Sequence, residues 1–229
     1  MKRSEINKII DYTIDKAEFF KIPLPPFAFY TAEDWKKVTA DEAEIVDNML
    51  GWDITDFGTG DFKHVGLTIF TFRNGNFNLK DKYPKNYCEK LLFVRDGQIL
   101  PFHFHWYKME DIINRGGGTL KLTLYNADEN EGFADTPVEV TVDGKNITIP
   151  AGGEIFLKPG QSVTLKPYQY HQWQGVEGTG DIALFEVSTT NDDTKDNRFY
   201  EAQARIPDVE EDDVVKYLMF KDYKDYITY

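Results

Sequence analysis

The sequence predicts a mainly β protein, a barrel or sandwich of short antiparallel strands with helices at its N-terminal side and a short helix near the end. From residue 66 onward apolar residues recur with a period of two, which is typical of half-buried strands. Asp-Gly, Asn-Gly and Gly-Gly pairs separate these runs, as they do in sheets built from hairpins. Near the N-terminus the apolar residues follow a helical spacing instead.

Two helices are predicted before the strands begin. Residues 5 to about 20 form an amphipathic pattern, with Ser4 as the N-cap. The prolines of residues 22–30 exclude a helix there and predict an extended connector. Residues 39–42 match a capping box, and Gly51 stands where a C-cap glycine would end the second helix.

Ten alternating runs follow, and together they predict an all-β barrel. Near the end, Asp208 stands where it would cap a helix over DVEEDDVVKYLM. No repeat or long linker divides the chain. The predicted organisation is one domain, with an N-terminal segment (1–60) that packs on the barrel, the barrel itself (61–205), and a C-terminal helix and tail (206–229).

Composition excludes several classes of partner. The formal net charge is −13 and the pI is near 4.7, so the surface repels nucleic-acid phosphates and anionic lipids. The single cysteine, Cys88, is typical of a small buried hydrophobic residue in a reducing compartment. No apolar run has the length of a membrane span or the core of a signal peptide. We therefore expect a cytoplasmic protein that binds neither nucleic acid nor membrane.

The stretch PFHFHWYKMED holds two of the four histidines in the chain. On a strand, His103 and His105 point to one face, so both imidazoles can reach one ion. Glu110, past the predicted strand end, and His171 in YQYHQWQ are further candidate ligands. Such a nitrogen and oxygen set suits Mn, Fe, Co, Ni or Zn. The ordinary alternative is that each histidine is a hydrogen-bonded or surface side chain.

The spacing of these residues resembles a known motif. Gly97, His103, His105, Glu110 and Gly117 match the first cupin motif, G-x5-H-x-H-x4-E-x6-G, at every fixed position. The second cupin motif is matched in part, because His171 stands later than its pattern places a histidine. The resemblance implies the cupin fold, a double-stranded β-helix or jelly-roll barrel, in agreement with the strand count.

A narrower resemblance covers essentially the whole chain. FHFHWYKMEDIINRGGGTL, with EKLLFV before it and KPYQYHQWQG after it, resembles the D-lyxose isomerases, cupins that isomerise monosaccharides. This implies a metal-dependent aldose–ketose isomerase that interconverts D-lyxose and D-xylulose and, in a roomy pocket, D-mannose and D-fructose. Mn²⁺ is the first choice of metal, with Co²⁺, Ni²⁺, Fe²⁺ or Zn²⁺ as alternatives. The resemblance also implies a homodimer, and the aromatic FAFY stretch is the segment we expect to pack against the partner subunit.

Five further residues become candidates through this resemblance. Glu186 shares a strand face with apolar residues and is the candidate base that moves a proton between C1 and C2. Lys108 is placed to neutralise charge on a sugar oxygen. Lys90, Asp193 and Arg198 are candidates for contacts with sugar hydroxyls. For each of the five, a solvent-facing surface charge is the competing interpretation.

Two other functions remain open from the sequence. The same ligands can hold Fe(II) for oxygen activation in a dioxygenase, and a cupin can bind a sugar without catalysis. The isomerisation itself allows two routes, a proton transfer through a cis-enediol or a hydride shift that needs no base.

Overall fold

The structure, a computed structural model, describes residues 1–227, and the described part contains two antiparallel sheets with short helices around them. The strands are β1 (Gly51–Thr55), β2 (Leu67–Arg73), β3 (Tyr87–Val94), β4 (Ile99–Phe104), β5 (Glu110–Gly117), β6 (Leu120–Ala127), β7 (Phe133–Ala134), β8 (Val138–Val142), β9 (Lys145–Ile149), β10 (Gly153–Leu157), β11 (Ser162–Leu165), β12 (Gln169–Gly175), β13 (Ile182–Thr189) and β14 (Arg198–Phe199). The α-helices are α1 (Arg3–Phe19), α2 (Ala32–Trp35), α3 (Ala43–Asp47) and α4 (Tyr223–Tyr226).

The two sheets curl around one apolar core. One has the strand order β1-β2-β3-β13-β5-β11-β8-β9, and the other has the order β10-β6-β12-β4-β14, with β7 paired to β6. Alternate residues of both sheets point inward and bury their apolar side chains against each other. This core includes Leu67, Ile69, Leu92, Ile112, Leu122, Leu124, Val163, Trp173 and Leu184. The predicted jelly-roll barrel is confirmed.

All ten strands predicted from alternation are present, and the sequence missed β1, β5, β7 and β14. The omission of β5 matters because Glu110 is its first residue and not part of a turn beyond β4. The buried positions of β5 are Glu110, Ile112 and Asn114. Two of these three inward residues are polar, so the apolar alternation that indicates a strand is absent there.

Helix α1 covers the outer face of the eight-stranded sheet. Its buried residues Ile6, Ile9 and Ile10 belong to a second apolar cluster with Trp52 and Phe70. This explains why β1, β2 and β3 are buried on both faces, in runs of five consecutive residues. The structure shows no helix within the described residues that is long and apolar enough to cross a membrane.

The start of α1 differs from the prediction. The helix begins at Arg3 with Lys2 as N-cap, and Ser4 does not cap it. The Ser4 hydroxyl and backbone N–H both donate to Asp212, at 2.7 and 2.9 Å. A long-range carboxylate therefore replaces the local capping interaction that the sequence suggested.

The proline-rich connector and the second helix also differ from the prediction. Pro26–Phe29 form one 3-10 turn inside the segment predicted to be extended. The capping box of Thr39 and Glu42 is present, but it opens a 3-10 turn followed by the short helix α3. Gly51 ends no helix. It begins β1 with φ +96°, in the left-handed region that favours glycine, so a strand already starts inside residues 1–60.

The predicted helix over residues 208–219 is wrong. Glu210 forms a bridge with Lys2, and Glu211 pairs with the buried guanidinium of Arg3. Asp208 caps no helix, and the described C-terminal helix is α4, of four residues. Acidic residues that the sequence assigned to a helix N-terminus are used instead as partners for the first turn of α1, since pairing a buried cation outweighs helix propensity.

Candidate active site

Two histidines face each other across neighbouring strands of the smaller sheet. The pairing of β4 with β12 sets His103 directly opposite His171, and both side chains are buried. Each Nδ1 contacts a backbone carbonyl, that of Pro101 for His103 and that of Gln169 for His171. A carbonyl oxygen only accepts hydrogen bonds, so Nδ1 carries the proton and Nε2 presents its lone pair. The two Nε2 atoms are 3.0 Å apart, a spacing at which lone pairs repel unless a cation lies between them.

His105 and Glu110 bring two more ligand atoms to the same point. Glu110 Oε1 lies 3.3 Å from His171 Nε2 and 3.7 Å from His105 Nε2. His105 Nε2 and Glu110 Oε1 are buried without a hydrogen-bond partner among the described residues. Two ligand atoms about 2.1 Å from one ion lie about 3.0 Å apart at a right angle and about 3.4 Å apart at a tetrahedral angle. The ligand atoms of His103, His105 and His171 lie within 4.8 Å of one another, close enough to hold one divalent cation, and the Glu110 carboxylate lies beside two of them.

The protonation state of the histidines agrees with this. Burial lowers the pKa of His103 well below its usual value, and the neighbouring imidazoles of His171 and His105 lower it further. Burial and the charge of Lys108 do the same to the pKa of His105. Burial also lowers the pKa of His171. All three imidazoles are therefore neutral at pH 7, the form that binds a metal.

Glu186 lies on β13 with its side chain inside the barrel. Its inward neighbours on that strand are Leu184 and Ser188, as the alternation predicts. Three hydrogen bonds reach its Oε1, from Lys108 Nζ at 3.0 Å, Ser188 Oγ at 3.0 Å and Asn191 Nδ2 at 3.3 Å. No hydrogen bond to Oε2 is found among the described residues. One oxygen is thus held in place while the other is free to take a proton.

Two buried lysines stand beside this carboxylate. Lys108 Nζ is 2.6 Å from Glu110 Oε2, so it bridges Glu110 and Glu186. Lys90 Nζ lies 2.8 Å from Asp193 and 3.4 Å from Glu186. Burial opposes the charge on each ammonium, but the carboxylates outweigh it and raise the pKa of both lysines. Both are buried cations, and not the surface lysines of the alternative interpretation.

Most of these side chains line one cavity inside the barrel. The polar lining residues are Lys90, His103, His105, Lys108, Glu110, Glu186, Asp193, Asn197 and Arg205, and apolar residues such as Leu100, Trp173 and Phe199 form the remaining wall.

Among the five candidates from the resemblance, the structure brings four to the cavity. Arg198 is the exception, because its Nε donates to Glu131 at 2.8 Å and its side chain is one-third exposed. The sequence missed Arg205, whose guanidinium lies 3.5 Å from Asp193 and also pairs with Asp53. Burial opposes its charge, but these two carboxylates raise the pKa of Arg205. No local motif marks Arg205, since Asp53 is 152 residues away.

Comparison with known proteins gives one consistent result. A family model for D-lyxose isomerase matches residues 1–223. A D-lyxose/D-mannose isomerase of Serratia proteamaculans is 45% identical over 229 residues, with all of both chains covered. The corresponding protein of Escherichia coli O157:H7 is 42% identical over 227 residues, which covers 99% of this chain and 100% of that one. Among solved structures, an L-ribose isomerase of Cellulomonas parahominis with L-psicose is similar in fold, with a TM-score of 0.61 at 16% identity over 92% of this chain and 98% of that one.

Proposed function

The chain belongs to the D-lyxose isomerase family and is an aldose–ketose isomerase, and from that premise we propose that it interconverts D-lyxose with D-xylulose and D-mannose with D-fructose. The two aldoses have the same configuration from C2 to C4, and mannose has one more carbon. The observation that carries the proposal is a cluster of three histidines close enough to hold one cation, with Glu110 beside it and, in the same cavity as two of these histidines, the Glu186 carboxylate with one oxygen free.

The cation is held by His103, His105, Glu110 and His171 in this proposal, and Mn²⁺ is the metal we expect. Neutral imidazoles and a carboxylate suit several divalent ions, so the ligand set alone does not select Mn²⁺ over Co²⁺, Ni²⁺, Fe²⁺ or Zn²⁺. When bound, such an ion polarises the sugar carbonyl at C1 and makes the hydroxyl at C2 more acidic.

Glu186 is the proposed base. Its Oε2 takes the proton from C2 of the aldose and returns it to C1, so the reaction passes through a cis-enediol. Lys108 touches both Glu110 and Glu186, and its ammonium is therefore placed to stabilise negative charge that develops on a sugar oxygen during the transfer. Because Lys108 is held from both sides, it needs no rearrangement to do so.

Lys90 and Asp193 remain the proposed contacts for sugar hydroxyls, and Arg205 joins them. Asp193 is paired with both Lys90 and Arg205, and although burial opposes its charge, these cations lower the pKa of its carboxyl. The Asp193 carboxylate is therefore ionised at neutral pH and can accept hydrogen bonds from sugar hydroxyls. Arg198 is not part of the proposal, because it is bound to Glu131 outside the cavity lining.

The test is an assay of metal-restored isomerisation. The protein is stripped with a chelator, Mn²⁺ is added back, and ketose is measured from D-lyxose and from D-mannose, with His103→Ala as the control. The proposal expects metal-dependent D-xylulose and no product from the variant. Metal binding without ketose from either sugar, accompanied by oxygen uptake with Fe²⁺, would overturn it in favour of oxygen chemistry.

The route of the hydrogen is tested separately. In deuterated water, a proton transfer through Glu186 places deuterium at C1 of the ketose or C2 of the aldose. Product without label would show that the hydrogen never reaches a solvent-exchangeable base and would favour a hydride shift.

We also propose a homodimer in the cytoplasm. Phe29 of the FAFY stretch is 47% exposed and lies beside Ile22 and Leu24 in an apolar groove that α1 borders. Apolar surface of this kind is typical of an interface between subunits. Sedimentation equilibrium tests the dimer, and Phe29→Ser should weaken it. Cell fractionation tests the location.

A further inference from the structure

The turn between β4 and β5 contains or borders His105, Lys108 and Glu110. The side chain of Asp196, from a distant part of the chain, holds this turn in place. Trp106 N and Tyr107 N donate to Asp196 Oδ1 at 2.7 and 3.1 Å, and Lys108 N donates to Asp196 Oδ2 at 3.0 Å. The backbone carbonyl of the same aspartate contacts His105 Nδ1. Asp196 is 4% exposed.

This arrangement links the turn to the metal ligands at both of its ends. Three successive backbone N–H groups form a concavity that favours an anion, and the carboxylate of Asp196 fills it. Because a carbonyl oxygen only accepts, the contact with His105 sets the proton on Nδ1 and leaves Nε2 facing Glu110. Lys108, inside the turn, receives its position from the same carboxylate.

We propose that Asp196 is a positioning residue of the metal centre: it holds the turn at residues 105–110 so that His105, Lys108 and Glu110 converge before the cation binds. The inference rests on the cation site proposed above. Asp196 touches neither the cation nor the sugar in this role, and acts through the backbone of the turn.

The chain contains a matched control for this role. Asp192 lies four residues earlier in the same connection between β13 and β14, and its carboxylate accepts hydrogen bonds from Thr194 and pairs with Lys195. All these partners belong to the connection itself and none to the turn. Replacement of Asp192 by asparagine therefore removes the same charge without releasing the turn.

The substitution that tests the proposal is Asp196→Asn. Asparagine keeps one oxygen for Trp106 and Tyr107 but turns an amide NH₂ toward the N–H of Lys108, so two donors face each other. We expect Mn²⁺ binding to the stripped protein, followed by electron paramagnetic resonance of the free ion, to weaken ten- to hundredfold. Asp192→Asn should stay within twofold of the unchanged protein. Excess Mn²⁺ should restore ketose formation in Asp196→Asn.

The outcomes distinguish a failure of the proposed cation site from a failure of the proposed role of Asp196. If the unchanged protein binds no Mn²⁺, the cation site fails and this inference fails with it. If the unchanged protein binds Mn²⁺ and Asp196→Asn binds it equally well, only the role of Asp196 is overturned. If Asp196→Asn does not fold, hydrogen exchange of the backbone amides in the metal-free unchanged protein tests the role of Asp196 instead. Protected amides at residues 106–108 and a proton on His105 Nδ1 by nitrogen-15 NMR support the proposal, and rapid exchange refutes it.

Discussion

Replacement of Glu186 by glutamine removes the proposed base with little other change. The three donors that contact Oε1 (Lys108, Ser188 and Asn191) keep an acceptor, because the glutamine carbonyl can occupy that position. Lys108 also keeps Glu110, and Lys90 keeps Asp193, so neither ammonium loses its last anionic partner. The fold and the proposed cation ligands therefore stay intact, and only the free oxygen of residue 186 becomes an amide nitrogen.

The expected loss follows from the role of that oxygen. General base catalysis contributes about 10²- to 10⁴-fold in rate. At about 1.4 kcal/mol for each tenfold change, this raises the barrier by about 3–5 kcal/mol. The assay is kcat for D-lyxose at saturating Mn²⁺, together with Mn²⁺ affinity and deuterium incorporation. We expect kcat to fall by at least a hundredfold, Mn²⁺ affinity to stay within twofold, and deuterium exchange to stop.

A matched control is Glu154→Gln, which makes the same change on the exposed face of β10, where Glu154 pairs with Lys121. It should leave kcat unchanged. The reasoning is refuted if Glu186→Gln retains kcat within tenfold of the original value. It is equally refuted if the variant loses Mn²⁺ in place of catalysis, since Glu186 would then be a ligand and not the base.

Three further predictions follow from the same geometry. His171→Ala removes one of four ligands, so Mn²⁺ affinity should fall by more than a hundredfold by calorimetry, and an unchanged affinity would show that His171 is not a ligand. In the metal-free protein, stability to urea should decrease as the pH falls below about 6.5. Burial lowers the pKa values of the three histidines in the folded state, so in this pH range their imidazoles bind protons only when the chain unfolds. A flat profile would contradict the burial argument. Arg3→Ala should cost about 3 kcal/mol in the free energy of unfolding because it leaves buried Asp222 unpaired, whereas Lys2→Ala, on an exposed side chain, should cost less than about 0.5 kcal/mol.

The errors of the sequence prediction have a common origin. Ser4 and the acidic residues near position 210 carry good local helix signals, but they bind each other and Arg3 across more than 200 residues. A buried guanidinium requires anionic partners more strongly than an exposed segment requires a helix. Likewise the apolar alternation of β5 is interrupted by two polar inward residues: Glu110 lies at the candidate site, and Asn114 donates to the backbone carbonyls of Gly118 and Leu157.

The two candidate metal ligands that are close together in the chain could be predicted from the sequence, because a strand orients alternate side chains by local geometry alone. His103 and His105 needed only that rule, and the ten alternating runs that form the barrel needed it too. The position of His171 beside them follows from the register of β12 on β4, which pairs residues 68 apart.

The sequence by itself thus determined the barrel and the orientation of His103 and His105, since each depends on neighbours within a few residues, and its resemblance to a known family gave the class of chemistry. Tertiary structure alone decided which distant charges enter the cavity. It brought Arg205 to Asp193, paired Arg198 with Glu131 away from the cavity lining, and placed the Asp196 carboxylate against the backbone of the turn that carries His105 and Glu110. The physical reason is that a buried charge takes its partner from any part of the folded chain, and no local periodicity records that choice.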